Sequence, residues 1–483
     1  MEKSFALSLA NRPGTLRKTL RILWDCCVSV TRASYNQSID VHALFVDITG
    51  TRAAVERAEQ ELHKHRLYPG EQPLGETRLL DFELQDEMGS LDPVLALIDG
   101  QGLNITHFDV RSDGFGGNTV RIGVHIDRDE QLQQLLDEGS RICKVHVVER
   151  ETLFNVGDSD NFIRDFAQTL ARRMNLSKEA ELEIMVNANR IAQNHARKGS
   201  DPYKPFEYLD ETSVMLADAS GPKYEAVTRV SHLTLEQGGE IVCVEPPVGC
   251  TTWALTCENG FLVFDAGFRC CAQGLDEVLA RELPGWREGR KVLALTHADI
   301  DHVGDAERFD EVCASGRVID SFMFESMGIV NWREQNPLIM PYNFIAKLLC
   351  SYEVPDWQKM RCFGEKSPFG EQEELFRRID TLVVAPYEFE VWEGKGGHVR
   401  GEIVFIERAH RLCVSGDILV NIHNQTKEQT RYNALAPFLL GSVDAEPMLA
   451  REERQAMLGL LEPGRWLILA GHGGPLWKDI EEA

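Results

Sequence analysis

The segment 296–302 constrains this chain more than any other, because it contains four metal-binding side chains. His297, Asp299, Asp301 and His302 follow directly after the apolar run 292–295. A strand that ends in such a cluster presents its side chains at the rim of a sheet, where the strand is rigid and the loop is exposed. Two imidazoles and two carboxylates exceed what one ion takes from so short a loop. The spacing therefore predicts a site for two metal ions.

Three further candidate ligands lie downstream, each next to glycine and beside an apolar run. His398 precedes the run 403–406, Asp417 follows 412–414, and His472 follows 466–470. Glycine permits close backbone approach and unusual dihedral angles at such positions. A single histidine at a strand end is more often structural, but the repeated context favours one shared site.

This order of motifs resembles that of the metallo-β-lactamase superfamily, whose first loop reads H-x-H-x-D-H in most members. Here Asp299 stands where the second histidine of that motif is expected. The sequence Phe264-Asp265-Ala266-Gly267 is similar to the Asp-x-Gly that ends an early strand in the family. The resemblance covers about half of the chain, 240–483, and implies an αββα sandwich for that domain.

The resemblance also implies a role for each candidate residue. The first ion would be held by His297, Asp299 and His398. The second ion would be held by Asp301, His302 and His472. Asp417 would bridge the two ions, and Asp301 and Asp417 are the candidate catalytic residues. Asp265 would orient a ligand through a hydrogen bond, as carboxylates commonly do for metal-bound histidine; its alternative role is to cap N–H groups of the local turn.

Asp299 bears on the identity of the metal. Three imidazoles suit zinc, whereas a carboxylate in their place moves the donor set towards harder ions such as iron or manganese. Flavodiiron proteins, a branch of the same superfamily, carry a carboxylate here, usually Glu, and some hydrolytic members carry Asp. The expected cofactors are two divalent ions, with zinc, iron and manganese all open.

The favoured function is that of a binuclear metal-dependent hydrolase acting on a small molecule. One alternative is a diiron protein that binds, senses or reduces dioxygen or nitric oxide with an external electron donor. Another is a non-catalytic ligand sensor in which the metal is structural.

The N-terminal part of the chain contains an internal repeat. Gly14 corresponds to Gly89 and Leu16 to Leu91, an offset of 75 residues. Each copy, 1–75 and 76–150, predicts the order β-α-β-β-α-β, which gives a ferredoxin-like antiparallel sheet with helices on one face. The whole chain is thus expected to combine α/β and α+β domains.

The turn after the first predicted strand, Asn11-Arg12-Pro13-Gly14-Thr15-Leu16, resembles that of the ACT domain. ACT domains are small regulatory modules that commonly bind amino acids between paired copies. The resemblance implies a homo-oligomer and an effector site at Asn11, Pro13, Gly14, Thr15 and Leu16, where a helix N-terminus would favour a carboxylate. The alternative is a dimerisation scaffold without a ligand.

Residues 151–239 predict a helical connector, because apolar residues recur there at helical spacing.

The net charge of −25 disfavours nucleic-acid and anionic-membrane partners. The sequence shows neither a signal-like N-terminus nor an apolar run of about 18 residues, so we expect a cytoplasmic protein. The twelve cysteines include no C-x-x-C motif and are expected to be reduced. Cys26–Cys27 and Cys270–Cys271 are adjacent pairs, a poor geometry for a disulfide.

Overall fold

In the computed structural model, the described strands form four sheets. The described residues are 1–9, 15–35, 43–68, 76–85, 90–103, 105–112, 117–126, 129–147, 162–198, 204–235, 239–329, 339–364, 374–427, 429–430 and 443–482. These residues make a mixed α/β protein with two structural units. The first unit comprises Met1–Ala171 and Ser177–Gln193; the second comprises Arg172–Leu176 and Asn194–Ala483. None of the described helices combines the length and the apolarity needed to cross a bilayer.

The first sheet of the first unit has the strand order β1-β3-β2 and is antiparallel. Its elements are β1 (Glu2–Ser8), α1 (Thr15–Asp25), β2 (Ser29–Tyr35), β3 (Ala43–Thr49) and α2 (Arg52–Lys64). Helix α2 begins where the Thr51 hydroxyl accepts the backbone N–H of Ala54 at 3.3 Å. Its apolar stripe, with Val55 and Leu62, packs on Leu7 of β1 in one core.

The second sheet has the strand order β5-β6-β4-β7. Its elements are β4 (Glu76–Gln85), α3 (Asp92–Gly100), β5 (Ile105–Ser112), β6 (Gly117–Ile126), α4 (Asp129–Gly139) and β7 (Lys144–Val147). In both copies the described elements follow the predicted order. A fourth strand of the first copy is not among the described residues, and the ACT-like identity of the two copies stays a prediction.

The segment predicted as a helical connector contains α5 (Phe162–Arg173), α6 (Lys178–Lys198), α7 (Lys204–Asp218) and α8 (Tyr224–Val227). The structure differs from the prediction at the end of this segment. Residues Arg229–Thr234 form strand β8, which pairs antiparallel with β9 (Glu240–Glu245). The strand has only two apolar residues of its own that face partly inward, Val230 and Leu233, so its sequence carries a weak strand signal.

The second unit contains a seven-stranded sheet with the order β14-β13-β12-β11-β10-β9-β8. The remaining strands are β10 (Thr252–Cys257), β11 (Gly260–Phe264), β12 (Arg290–Ala294), β13 (Glu311–Ser315) and β14 (Arg361–Phe363). Its helices are α9 (Ala272–Glu282), α10 (Ile300–Val303), α11 (Gly316–Ser326) and α12 (Ile339–Leu349). Strands β11 to β14 run parallel to one another.

A six-stranded sheet follows, with its strands in chain order. They are β15 (Phe376–Val384), β16 (Tyr387–Gly394), β17 (Ile403–Glu407), β18 (Leu412–Gly416), β19 (Gly464–Ala470) and β20 (Pro475–Ile480), with α13 (Pro447–Gly459) between β18 and β19. Strands β18 and β19 are parallel, whereas the other neighbouring pairs are antiparallel.

The two large sheets pack face to face, and helices cover them from outside. Ile403 and Phe405 of β17 lie in a core cluster shared with the seven-stranded sheet. The alternate residues Val404 and Ile406 lie in a second cluster with Met457 of α13. Because both faces of the strand are buried, its sequence is continuously apolar rather than alternating. On the seven-stranded sheet, α9 contacts β9.

Candidate metal centre

Neighbouring parallel strands carry most of the candidate ligands to one edge of the sandwich. Asp265 follows β11, and His297 follows β12, which lies parallel to β11. Asp417 follows β18, and His472 follows β19, again a parallel pair. The carboxyl ends of parallel strands meet at the same edge, so side chains distant in sequence become neighbours.

A first group of side chains consists of His297, Asp299 and His398, whose ligand atoms all lie within 4.8 Å of one another. Asp299 Oδ2 is 3.6 Å from His297 Nε2 and 3.5 Å from His398 Nε2. The carboxylate thus stands between two imidazoles that face the same point, as ligands of one ion would.

A second group consists of Asp301, His302 and His472, with ligand atoms that also lie within 4.8 Å of one another. Asp301 Oδ2 is 3.9 Å from His302 Nε2 and 3.6 Å from His472 Nε2. Asp301 and His302 belong to the short helix α10, which starts directly after Asp299. One loop therefore supplies two residues to each group.

Asp417 lies between the two groups. Its Oδ2 atom is 3.6 Å from His398 Nε2 in the first group and 3.2 Å from His472 Nε2 in the second. Its Oδ1 atom is 3.5 Å from His302 Nε2. The side chain is largely enclosed, at 13% exposure, and this burial raises its pKa, but the imidazoles of His472 and His302 outweigh burial and hold the pKa well below its usual range.

Each of the four imidazoles is held through its Nδ1 atom, so that Nε2 faces the site. His302 Nδ1 lies 2.8 Å from Asp265 Oδ2, and His398 Nδ1 lies 3.0 Å from Asp444 Oδ1. His472 Nδ1 is 3.0 Å from the carbonyl oxygen of Gly249. These oxygens accept hydrogen bonds, so Nδ1 carries the proton and the Nε2 lone pair is available to a metal ion.

His297 is held in the same way through the hydroxyl of Thr296. Thr296 Oγ1 donates to Asp265 Oδ2 at 2.7 Å and therefore accepts from His297 Nδ1 at 2.9 Å. The other oxygen of Asp265 accepts the backbone N–H of Thr296 at 2.8 Å. One buried carboxylate thus orients both fully buried histidines, His297 and His302.

The donor set fits metal ions. His297 Nε2, His302 Nε2 and Asp417 Oδ1 are buried and have no hydrogen-bond partner among the described residues. Buried polar atoms are nearly always paired, because an unpaired one loses its hydration without compensation. Burial lowers the pKa of His297, which favours the neutral imidazole; burial also acts on His302 and His472, but Asp417 and the other acidic groups beside them raise their pKa above its usual value, so a bound cation would take the place of those protons.

Glu402 is a buried carboxyl group beside the site that sequence reasoning missed. Its Oε1 atom accepts the backbone N–H groups of Asp417 at 2.7 Å and Ile418 at 3.1 Å, while Oε2 has no hydrogen-bond partner in the part of the chain that the structure describes. Burial raises the pKa of Glu402 to about 8. At Gly416, where φ is +52°, an added Cβ would come within 2.7 Å of Oε1.

Glu453 and Asp444, also missed from the sequence, support the loop that carries His398. The carboxylate of Glu453 on α13 accepts the N–H groups of Gly396 and Gly397 at 2.9 and 2.8 Å. Asp444 accepts a hydrogen bond from His398 Nδ1. No local sequence pattern predicts the contacts of Glu453 or Asp444, because both residues lie far along the chain from the loop; Asp444, for example, is 46 residues from His398.

The site opens on one side. Asp299, Asp301 and His472 are 21–22% exposed, whereas His297 and His302 are fully buried. A shallow cleft adjoins His472, lined by Pro247, Val248, Gly249, Gln425, Gln429 and Gly473. A small molecule entering here would meet the exposed edge of the ligand cluster.

The predicted effector site lies mostly outside the described residues. Asn11, Pro13 and Gly14 are not described, Thr15 begins α1, and the side chain of Leu16 is 39% exposed. The effector assignment of these five residues stays a prediction.

Comparison with solved structures finds similarity to proteins of the metallo-β-lactamase fold over about half of the chain. A β-lactamase domain protein from Burkholderia ambifaria is 16% identical, with a TM-score of 0.35, over 52% of this chain and 73% of its own. A metallo-β-lactamase from Cronobacter sakazakii is 15% identical, with a TM-score of 0.32, over 52% and 81%. One from Pontibacter korlensis is 14% identical, with a TM-score of 0.31, over 52% and 94%.

At these values the similarity transfers no activity to this chain. No family model and no curated protein matches the sequence.

Proposed function

We propose that the C-terminal half of this chain is a binuclear metal-dependent hydrolase. The observation that carries the proposal is the convergence of three buried ligand atoms that have no hydrogen-bond partner among the described residues: His297 Nε2, His302 Nε2 and Asp417 Oδ1. In this proposal the first group holds one divalent ion and the second group holds another. Asp417 has oxygens directed at both groups and would contact both ions.

Divalent ions held there would lower the pKa of a water molecule and polarise a carbonyl or phosphoryl group. The protein's own contribution is to orient the ligands and to close the inner side of the site with His297 and His302. Asp301 and Asp417 are the carboxylates proposed to act next to the reacting groups. The substrate is proposed to be a small molecule that enters by the cleft beside His472.

Metal analysis together with a hydrolysis panel tests this proposal. The protein is loaded separately with zinc, manganese and iron(II), desalted, and assayed on a thioester, a lactone, a β-lactam and a phosphodiester. We expect two equivalents of metal and hydrolysis of at least one substrate class. Asp417→Ala should lose one or both equivalents, whereas the surface control His65→Ala should keep both. Two equivalents retained in Asp417→Ala would contradict the bridging assignment.

Asp299 supports a second candidate function, a diiron protein that binds, senses or reduces dioxygen or nitric oxide. Its carboxylate gives the first group a harder donor set than three imidazoles would. The optical spectrum of aerobically purified protein separates the two functions. A ligand-to-metal charge-transfer band favours the diiron protein, and a featureless spectrum with bound zinc favours the hydrolase.

We further propose that an amino acid bound by the N-terminal repeats regulates the metal site in a homo-oligomer. A ligand can change the rate only if it binds one conformational state better than the other. Calorimetry with the twenty amino acids, followed by rate measurements with any that binds, tests this regulation. An amino acid that binds without changing the rate would contradict it. If no amino acid binds, the N-terminal repeats have only a scaffold role.

A further inference from the structure

The loop 265–271, between β11 and α9, contacts the second group of ligands through its backbone and side chains. Asp265 Oδ2 holds His302 Nδ1 at 2.8 Å. The backbone N–H of Ala266 donates to the carbonyl of His302 at 2.8 Å, and the carbonyl of Gly267 accepts from Gly304 N–H at 2.9 Å. Three consecutive residues of the loop therefore fix the position of α10.

The next residue of this loop, Phe268, packs against Gly249, the residue whose carbonyl holds the other imidazole of the second group. A Cβ added at Gly249 would come within 2.8 Å of the Phe268 ring, so the ring lies directly against that backbone. The carbonyl of Gly249 is the partner of His472 Nδ1 at 3.0 Å. A movement of Phe268 would therefore displace Gly249 and, with it, the imidazole of His472.

The loop ends in two thiols that touch each other. Cys270 Sγ and Cys271 Sγ are 3.8 Å apart, and Cys271 N–H donates to the Phe268 carbonyl at 3.0 Å. Cys270 is partly exposed, whereas Cys271 is 4% exposed. The hydrogen bond from the Cys271 thiol lowers the pKa of Cys270 and raises the pKa of Cys271, so Cys270 is the thiol of the pair that ionises first.

We propose that Cys270 and Cys271 form a reversible disulfide that controls occupancy of the second ion position, an inference that rests on the two-ion site proposed above. The oxidant is a hydroperoxide. The Cys270 thiolate attacks its outer oxygen, the O–O bond breaks, and a sulfenic acid and an alcohol (or water) result. The Cys271 sulfur then attacks the Cys270 sulfur, the S–S bond forms, and the hydroxyl group leaves as water.

The covalent geometry explains why this bond would affect the metal site. Adjacent Cα atoms are about 3.8 Å apart across a trans peptide, below the roughly 4.4–6.8 Å that disulfides prefer. Rotation about φ and ψ cannot change that Cα–Cα distance, so closing the bond distorts the peptide between Cys270 and Cys271 and the dihedral angles of the turn Arg269–Cys271 that contains it. That turn includes the hydrogen bond to the Phe268 carbonyl, so the change would displace Phe268 and, through Gly249, His472. The first group of ligands is linked to this loop through Asp265, which binds Thr296 and lies at the end of the loop away from the two thiols, so its ion should stay.

The test treats the metal-loaded protein with hydrogen peroxide and follows two independent readouts. Mass spectrometry of non-reduced peptides should show the loss of two hydrogens in the peptide that contains both cysteines. Elemental analysis after desalting should fall from two metal equivalents to one, and dithiothreitol with added metal should restore the second. Cys271→Ser should keep both equivalents in peroxide. The matched control is Cys27→Ser, which removes one thiol of the adjacent pair Cys26–Cys27 in the first unit. This variant should lose one equivalent of metal in peroxide, as the wild type does.

Either readout can overturn the inference. Sulfinic or sulfonic acid at Cys270 without a disulfide would contradict the proposal that the two thiols form a reversible disulfide. A disulfide that leaves two equivalents of metal in place would remove its coupling to the ion position. If the protein holds fewer than two equivalents of metal before peroxide is added, the proposed two-ion site is contradicted, and with it the coupling. The mass spectrum would still decide whether the thiol pair forms a disulfide.

Discussion

Glu402 Oε1 accepts the backbone N–H of Asp417 at 2.7 Å, directly behind the carboxylate that lies between the two groups of ligands. Both N–H groups bound by Glu402 belong to the turn that follows β18, so this buried side chain sets the direction in which Asp417 leaves the sheet. The most direct experiments on the site follow from such supporting contacts rather than from the ligands alone.

Replacing Glu402 should weaken metal binding without removing a ligand. In Glu402→Ala the two N–H groups lose their acceptor, and we expect metal affinity to fall about 10–100-fold, the usual cost of removing a group that orients a ligand. Glu402→Gln retains one acceptor oxygen and should lose less. Competition with a chromogenic chelator measures the affinities. Equal affinity in the alanine variant and the wild type would show that the turn is positioned without Glu402.

Adding a single methyl group at Gly471 should displace Asp417. A Cβ at Gly471 would lie 2.2 Å from Asp417 Oδ1, a distance that no real contact reaches. We expect Gly471→Ala to lose at least one equivalent of metal. Gly459 in α13 is the matched control, because a Cβ there meets nothing within 4 Å. Gly459→Ala should keep both equivalents and raise the free energy of unfolding by about 0.4–1 kcal/mol, because alanine loses less backbone freedom on folding than glycine. Full metal content in Gly471→Ala would contradict the assigned place of Asp417.

Asp299→His should change metal preference rather than abolish binding. The variant would give the first group three imidazoles, a donor set that suits zinc better than manganese. We expect the ratio of zinc to manganese bound from an equimolar mixture to rise severalfold, as measured by elemental analysis. Asp356→His, on the same unit at a position whose side chain is 37% exposed, controls for non-specific binding by an added histidine. An unchanged ratio would place Asp299 outside the ligand set.

His232 should make the stability of the second unit depend on pH. Its two ring nitrogens lie 2.6 Å from Glu240 and 2.9 Å from Glu282. The hydrogen bonds to Glu240 and then Glu282 raise the pKa of His232 above its usual 6.5. A folded-state pKa above the unfolded value gives stability that is complete below about pH 6.5 and is lost as pH rises through the folded pKa.

The comparison with His232→Gln checks this dependence. The difference in unfolding temperature between wild type and variant should be largest near pH 5.5 and should shrink steadily towards pH 8.5. A difference that grows with pH would reverse the assigned protonation state.

The sequence was most informative where strands buried on both faces end in polar residues. The apolar runs before Asp417 and His472 predict β18 and β19, and the structure has strands at both places. Strand β8 was missed because an edge strand with few apolar residues gives little periodic signal. Among the groups that hold the candidate ligands, Asp265 was expected from the sequence and lies against His302, whereas Glu402 and Asp444 were missed. Glu402 and Asp444 reach the site through the fold, and no local spacing relates Asp444 to His398.

Each candidate ion position takes its ligands from both sheets of the sandwich. His297 and Asp299 follow β12 of one sheet, whereas His398 precedes β17 of the other, and the second group is divided likewise between α10 and the end of β19. An ion bound in either position would cross-link the two sheets. Sliding one layer over the other would then break both coordination sets at once, so metal occupancy would report whether the sandwich is correctly closed.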